Sequence, residues 1–106
     1  MINSQFKKGI IEICILSLIN KKDMYGFEVI DKLEGISVNE NTIYPILRRL
    51  TQQGLFSTYQ VDTEVGPPRK YYKITQAGKI ALQEYEKEWT VFLKEVMAIL
   101  EGENHE

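Results

Sequence analysis

Apolar residues keep helical spacing along most of this chain, and the one interruption, between Leu55 and Thr75, limits the folds open to it. Leu55-Phe56-Ser57-Thr58-Tyr59-Gln60-Val61 and Lys70-Tyr71-Tyr72-Lys73-Ile74-Thr75 are rich in aromatic and β-branched residues, as strands are. The stretch from Asp62 to Arg69 between them holds Gly66-Pro67-Pro68, which can continue neither strand. The pattern predicts a single β-hairpin with a proline-stiffened tip, set among helices. At 106 residues, 43% of them hydrophobic and 26% charged, the chain has the length and composition of one soluble globular domain.

Four helical stretches surround the hairpin. The first, from about Ser4 to Asn20, carries Phe6, Ile10, Ile13, Cys14 and Leu18 near helical spacing. Ile11, Ile15, Leu16 and Ile19 widen its stripe until it reads as buried on two sides. The second is predicted to start at Asp23 as N-cap and to end at Leu33, with Tyr25, Val29, Ile30 and Leu33 inward and Glu34-Gly35 as the stop. The third starts at Asn39 as N-cap and ends near Gln53 before Gly54, with Ile43, Ile46, Leu47 and Leu50 as its core residues. Pro45 lies past its first turn, so a later helix start or a local kink is expected there. Thr75 caps a final helix reaching about Glu101, and Gly102 to Glu106 are expected to form a disordered tail.

Helix, helix, helix, hairpin is the element order of a winged helix-turn-helix, a mainly α (α+β) fold. The expected division is a DNA-binding part over residues 1–75 and a C-terminal helix over 76–101. In this fold the third helix enters the DNA major groove and the wing touches the flanking backbone. The residue types suit that task. Asn39, Asn41 and Thr42 offer short polar groups at the helix start, beside backbone N–H groups that favour a phosphate. Tyr44 can donate to a phosphate oxygen, and Arg48 and Arg49 add charge. Arg69, Lys70 and Lys73 place cations beside the rigid turn, a clamp for the DNA backbone. The net charge of −2 by itself argues against a strongly basic nucleic-acid binder, but its distribution permits a DNA-binding face. Residues 1–75 hold ten Lys/Arg against eight Asp/Glu, whereas 76–106 hold three against seven, so the acidity belongs to the C-terminal segment. Glu40, Asp62 and Glu64 lie in the same regions as the cations and oppose phosphate wherever they face it.

The last helix asks for a partner. Leu82, Tyr85, Trp89, Phe92, Val96 and Ile99 follow one another at heptad steps, with Leu93, Met97 and Leu100 alongside. Left in water these residues form an apolar patch too large for a monomer. A two-fold homodimer through this helix is therefore expected, with the two recognition helices spaced to read a palindrome.

The motifs have a family likeness. Asn41-Thr42-Ile43-Tyr44-Pro45-Ile46-Leu47-Arg48-Arg49-Leu50, followed by Gly54-Leu55, resembles the recognition-helix signature of PadR-type transcriptional regulators. Gly66-Pro67-Pro68-Arg69-Lys70-Tyr71-Tyr72 and Ile74-Thr75-x-Ala77-Gly78 resemble that family's wing and its exit into the last helix. Tyr25-Gly26 with Glu28-Val29-Ile30 resembles the start of its second helix. The likeness covers roughly residues 10–80 and includes Pro45; the compact Gly35 to Val38 stretch departs from it. It implies a homodimeric regulator, usually a repressor, released from its operator by a small molecule or stress signal. With one C-terminal helix the chain is similar to the short, multidrug-sensing members. In those proteins a tryptophan of the last helix lines a pocket at the dimer centre. By that likeness Trp89, with Phe92, Met97 or Phe6, would stack on a planar hydrophobic ligand.

Other classes find little in the residues. The only histidine, His105, is next to last, no phosphate-binding glycine loop is present, and Cys14 lies in an apolar run. No enzyme activity, metal or cofactor is expected. Lys7 and Lys8 precede an apolar run that Glu12 interrupts and no cleavage site follows, so the expected location is the cytoplasm, without membrane contact.

Overall fold

A computed structural model describes residues 4–36 and 39–102, with side chains from Gly9 onward. The elements are α1 (Ser4–Lys21), β1 (Met24–Tyr25), α2 (Gly26–Lys32), a 3-10 turn (Glu34–Ile36), α3 (Glu40–Gln52), β2 (Phe56–Val61), β3 (Arg69–Ile74) and α4 (Gln76–Glu101). Three helices, a hairpin and a long last helix make a winged helix-turn-helix. Ile15, Leu16 and Ile19 of α1, Val29 of α2, and Ile43, Ile46, Leu47 and Leu50 of α3 fill its core. Phe56, Tyr72 and Ile74 close the core from the sheet and Leu82 from α4. Packing of this kind, more than helix propensity, holds the short α2 and α3 in place.

The second helix starts two residues later than its sequence suggests. Asp23 is not its N-cap, because Met24 and Tyr25 are extended and pair antiparallel with Tyr72 and Tyr71 of β3. The wing is thus part of a three-stranded sheet of order β1-β3-β2. Glu28 takes over at the helix start, its carboxylate accepting the Tyr25 N–H at 3.2 Å, while Lys22 pairs with the same carboxylate at 3.4 Å. The Asp23 carboxylate accepts instead from the Tyr59 hydroxyl of β2 at 2.6 Å, which pushes that phenol up to about 12. Tyr25, expected inward on a helix, sits on the outer sheet face as the cross-strand neighbour of Tyr71, 5.4 Å between ring centroids.

The third helix begins where expected. The Asn39 side chain accepts from the Asn41 N–H at 2.7 Å, and the helix runs through Pro45 to Gln52. The later start anticipated from Pro45 does not occur. Gly54 then takes φ +81°, the left-handed conformation that glycine adopts without penalty, and turns the chain into β2.

One junction locks wing, α3 and α4 together. The Thr75 hydroxyl accepts from the Gly78 N–H at 3.0 Å and donates back to the Gly54 carbonyl at 2.7 Å, while the Thr75 N–H donates to the Leu55 carbonyl at 3.0 Å. Gly78 lies so close beneath that a Cβ there would fall 2.2 Å from the Leu55 oxygen. The Thr-x-Ala-Gly sequence therefore fixes where α4 leaves the core. Beyond its first turns α4 projects away, and the molecule measures 64 × 30 × 20 Å. Among the described residues no helix is long and apolar enough to cross a membrane.

Candidate nucleic-acid interface

Burial of Ile43, Ile46, Leu47 and Leu50 decides which face of α3 is presented. Opposite them Asn41, Tyr44, Arg48 and Gln52 form an exposed stripe at helical spacing. Asn39 is exposed, but its carbonyl oxygen is spent on capping, and Thr42 is half-buried. The two arginines part company. Arg48 is exposed on the stripe, whereas Arg49 turns toward α1 and forms a hydrogen-bonded ion pair with Glu12. Arg49 thus ties α3 to α1 and is drawn away from the exposed α3 stripe.

Removing Arg49 leaves a largely buried carboxylate without its cation. Since the arginine is 40% exposed and solvent screens the pair, Arg49→Ala is expected to cost about 1 kcal/mol in thermal unfolding. DNA affinity of the folded variant should change far less than in Arg48 variants.

Tyr44 packs its ring on the backbone at the start of α2, where a Cβ on Gly26 would lie 2.5 Å from the ring. A side chain at position 26 would push the Tyr44 ring aside, so the Tyr25-Gly26 motif helps place that ring. The phenol oxygen stays beside this junction, and the residue is 40% exposed.

Strand alternation splits the wing cations. Register pairs Arg69 with Val61, Lys70 with Gln60 and Lys73 with Ser57. Arg69 and Lys73 share the outer face with Tyr71 and Tyr59, whose rings stack at 5.6 Å, and the Arg69 guanidinium lies 4.5 Å over the Tyr25 ring. Lys70 is on the other face, its ammonium 5.9 Å over Tyr72, and turns toward α3.

A cleft of about 400 Å³ lies between these elements, lined by Tyr44, Arg48, Thr51 and Gln52 of α3, Tyr25, Gly26 and Phe27 at the start of α2, and Lys70 and Tyr72 of β3. The sequence pattern alone does not single out Phe27 or Gln52. Phe27 is 62% exposed at the cleft rim. Its one signal in the chain is an apolar residue beside the inward positions of the second helix.

On α4 the heptad seam divides. Leu82, 5% exposed, is core, and Tyr85 packs partly buried against it. Trp89 is half-buried, over Gly9 of α1 so closely that a Cβ there would lie 3.1 Å from the indole, and 5.9 Å edge-on from Phe92. Beyond it Val96 is half-buried, while Phe92, Leu93, Met97, Ile99 and Leu100 are exposed. Phe6 belongs to the residues whose side chains are not described, and 103–106 of the expected tail lie outside the described residues. Gly102 caps α4 in the left-handed region. Burial pushes the Cys14 thiol above its ordinary value. Its alkylation in the folded protein should accordingly run slower than that of a free thiol by roughly tenfold or more, and reach the free rate on unfolding.

An exposed polar helix stripe beside a basic wing, on this element order, defines a winged-helix transcriptional regulator. The chain belongs to the PadR-like family of transcriptional regulators, whose sequence model matches residues 15–84. It is similar to a solved Streptococcus mutans protein, at 36% identity and TM-score 0.83 over 93% of each chain. A PadR-like transcription factor of Bacteroides fragilis is 41% identical, with TM-score 0.77 over 91% of this chain and 95% of that one. A PadR-like transcriptional regulator of Bacillus cereus is 35% identical, with TM-score 0.80 over 91% and 96%. The family consists of regulators, not enzymes.

Proposed function

We propose that this chain is a sequence-specific DNA-binding regulator in the cytoplasm, a homodimeric repressor released by a small molecule or stress signal. The observation that carries the DNA reading is the exposed stripe Asn41, Tyr44, Arg48 and Gln52, held outward by the buried opposite face of α3 and flanked by Lys70 of the wing. Asn41 and Gln52 read base edges, while Tyr44, Arg48, Lys70, Arg69 and Lys73 meet the backbone.

The far half of α4 supports the dimer. It projects from the core with Ile99 at 75% exposure and Phe92, Met97 and Leu100 beside it, an apolar face that a second copy would cover. Leu82 and Tyr85 of the seam pack on their own core, whereas Phe92 and Ile99 are exposed toward a partner, with Trp89 and Val96 half-buried beside them. A flat hydrophobic effector would stack on Trp89, Phe92 and Met97 at the centre of that dimer, with Phe6 near the start of α1 as a further candidate. Helix α1 offers the relay. Gly9 lies under Trp89, and Glu12, one turn on, holds Arg49 of α3. An effector that binds better to one spacing of the α3 helices shifts the population toward that spacing.

Footprinting on bound DNA tests the reading. Two protected half-sites centred about 34 Å apart are expected for the dimer. A single half-site protected by a monomer would remove the dimer. Trp89→Ala should weaken planar-dye binding about tenfold or more, by loss of an aromatic stacking partner. Unchanged dye affinity in a dimeric variant would take Trp89 out of the effector site.

A further inference from the structure

The cleft between α3, α2 and β3 has a chemical character that the surrounding surface lacks. Arg48 and Lys70 approach it from opposite elements, and among the described residues neither cation has an ion pair. No carboxylate lines it, in a chain whose 15 acidic residues outnumber its 13 Lys/Arg. Its floor is the Tyr44 and Tyr72 rings, and Phe27 stands at the rim, 62% exposed. Two uncompensated cations attract one anion. A bare phosphate would leave most of about 400 Å³ empty, so the occupant brings further mass, part of it apolar enough to lie on Phe27.

We infer that this cleft seats one nucleotide unit of the DNA backbone, its phosphate between Arg48 and Lys70 and its deoxyribose on Phe27. The inference rests on the DNA-binding reading and deepens it. The stripe of α3 enters the groove, and the strand forming the groove wall passes between that helix and the wing, where the cleft lies. Arg48 and Lys70 then share one phosphate instead of holding two. Phe27 supplies an apolar contact to the sugar that carries no charge and no sequence information.

Salt dependence separates these roles, because the slope of log K against log salt becomes shallower by about 0.9 for each phosphate that is no longer neutralised. The full chain is titrated by anisotropy with a random-sequence duplex at several salt concentrations. The double Arg48→Met, Lys70→Met variant is expected to lose a single step of about 0.9, and each single variant much less than a step, because the remaining cation still neutralises the phosphate. Phe27→Ser should bind about fivefold more weakly at an unchanged slope. All three residues are exposed, so unaltered thermal unfolding is the check that folding is intact. An unchanged slope in the double variant, or a full step lost in each single variant and two in the double, overturns the shared seat while DNA binding by the wild type stands. A wild type that binds no duplex overturns the parent reading and the seat with it. Displacement of DNA from the cleft by micromolar thymidine monophosphate would make it a free-nucleotide site instead.

Discussion

Gly78→Val is expected to lower the unfolding midpoint by at least about 12 °C, at roughly 4–8 °C per kcal/mol and about 3 kcal/mol or more of lost stability. A Cβ at Gly78 would meet the Leu55 carbonyl oxygen at 2.2 Å and Ile74 Cγ1 at 2.7 Å. The first of these is backbone, which cannot swing aside as a side chain can. Relief requires α4 to move off the strand junction, and that movement breaks the Thr75 bonds to Gly54, Leu55 and Gly78 together. Gly35→Ala provides the contrast, since a Cβ there meets nothing within 4 Å and should shift the midpoint very little. Thermal unfolding followed by circular dichroism reads both.

Arg48→Glu is expected to weaken operator binding about 100-fold, from removal of an interaction of about 1–3 kcal/mol and addition of a charge that repels phosphate. Arg48 is exposed and without an ion pair among the described residues, so its replacement leaves folding intact. The neighbouring Arg49 tests the assignment from the other side. Its guanidinium is held by Glu12, so Arg49→Ala should register in stability and Arg48→Glu in affinity. Equal losses of affinity in the two would mean that the α3 stripe is rotated from the one proposed.

This arginine pair shows where sequence stops being informative. Adjacent cations on a helix look alike in the chain, but they point about 100° apart, and only the packing of α3 on α1 shows that one of them meets a carboxylate. The four helices, the hairpin and the caps Asn39 and Thr75 are legible because each has a local cause: periodicity, a proline-bearing turn, a short polar side chain at the helix start. The strand at Met24-Tyr25 is not legible. Two residues carry no periodicity, and their extended conformation is set by pairing with Tyr72 and Tyr71 of β3, far along the chain. Asp23 looks like a cap for the same reason: it has the right chemistry, but Tyr59 claims it across the sheet. The wing cations follow the same logic. Lys70 faces α3 and Arg69 faces away because the strand register puts them on opposite faces. The cleft, and Phe27 with it, exists only once α2, α3 and β3 are assembled.

The central claim is tested most directly by titrating the purified protein with duplex from upstream of its own gene, against random duplex, over a range of salt. A saturable complex that outcompetes random DNA and weakens steeply with salt is the expected result, as counterions are released from the contacted phosphates. Binding without preference over random duplex at any salt, or no binding at low salt, would contradict it and leave the fold serving protein contacts alone.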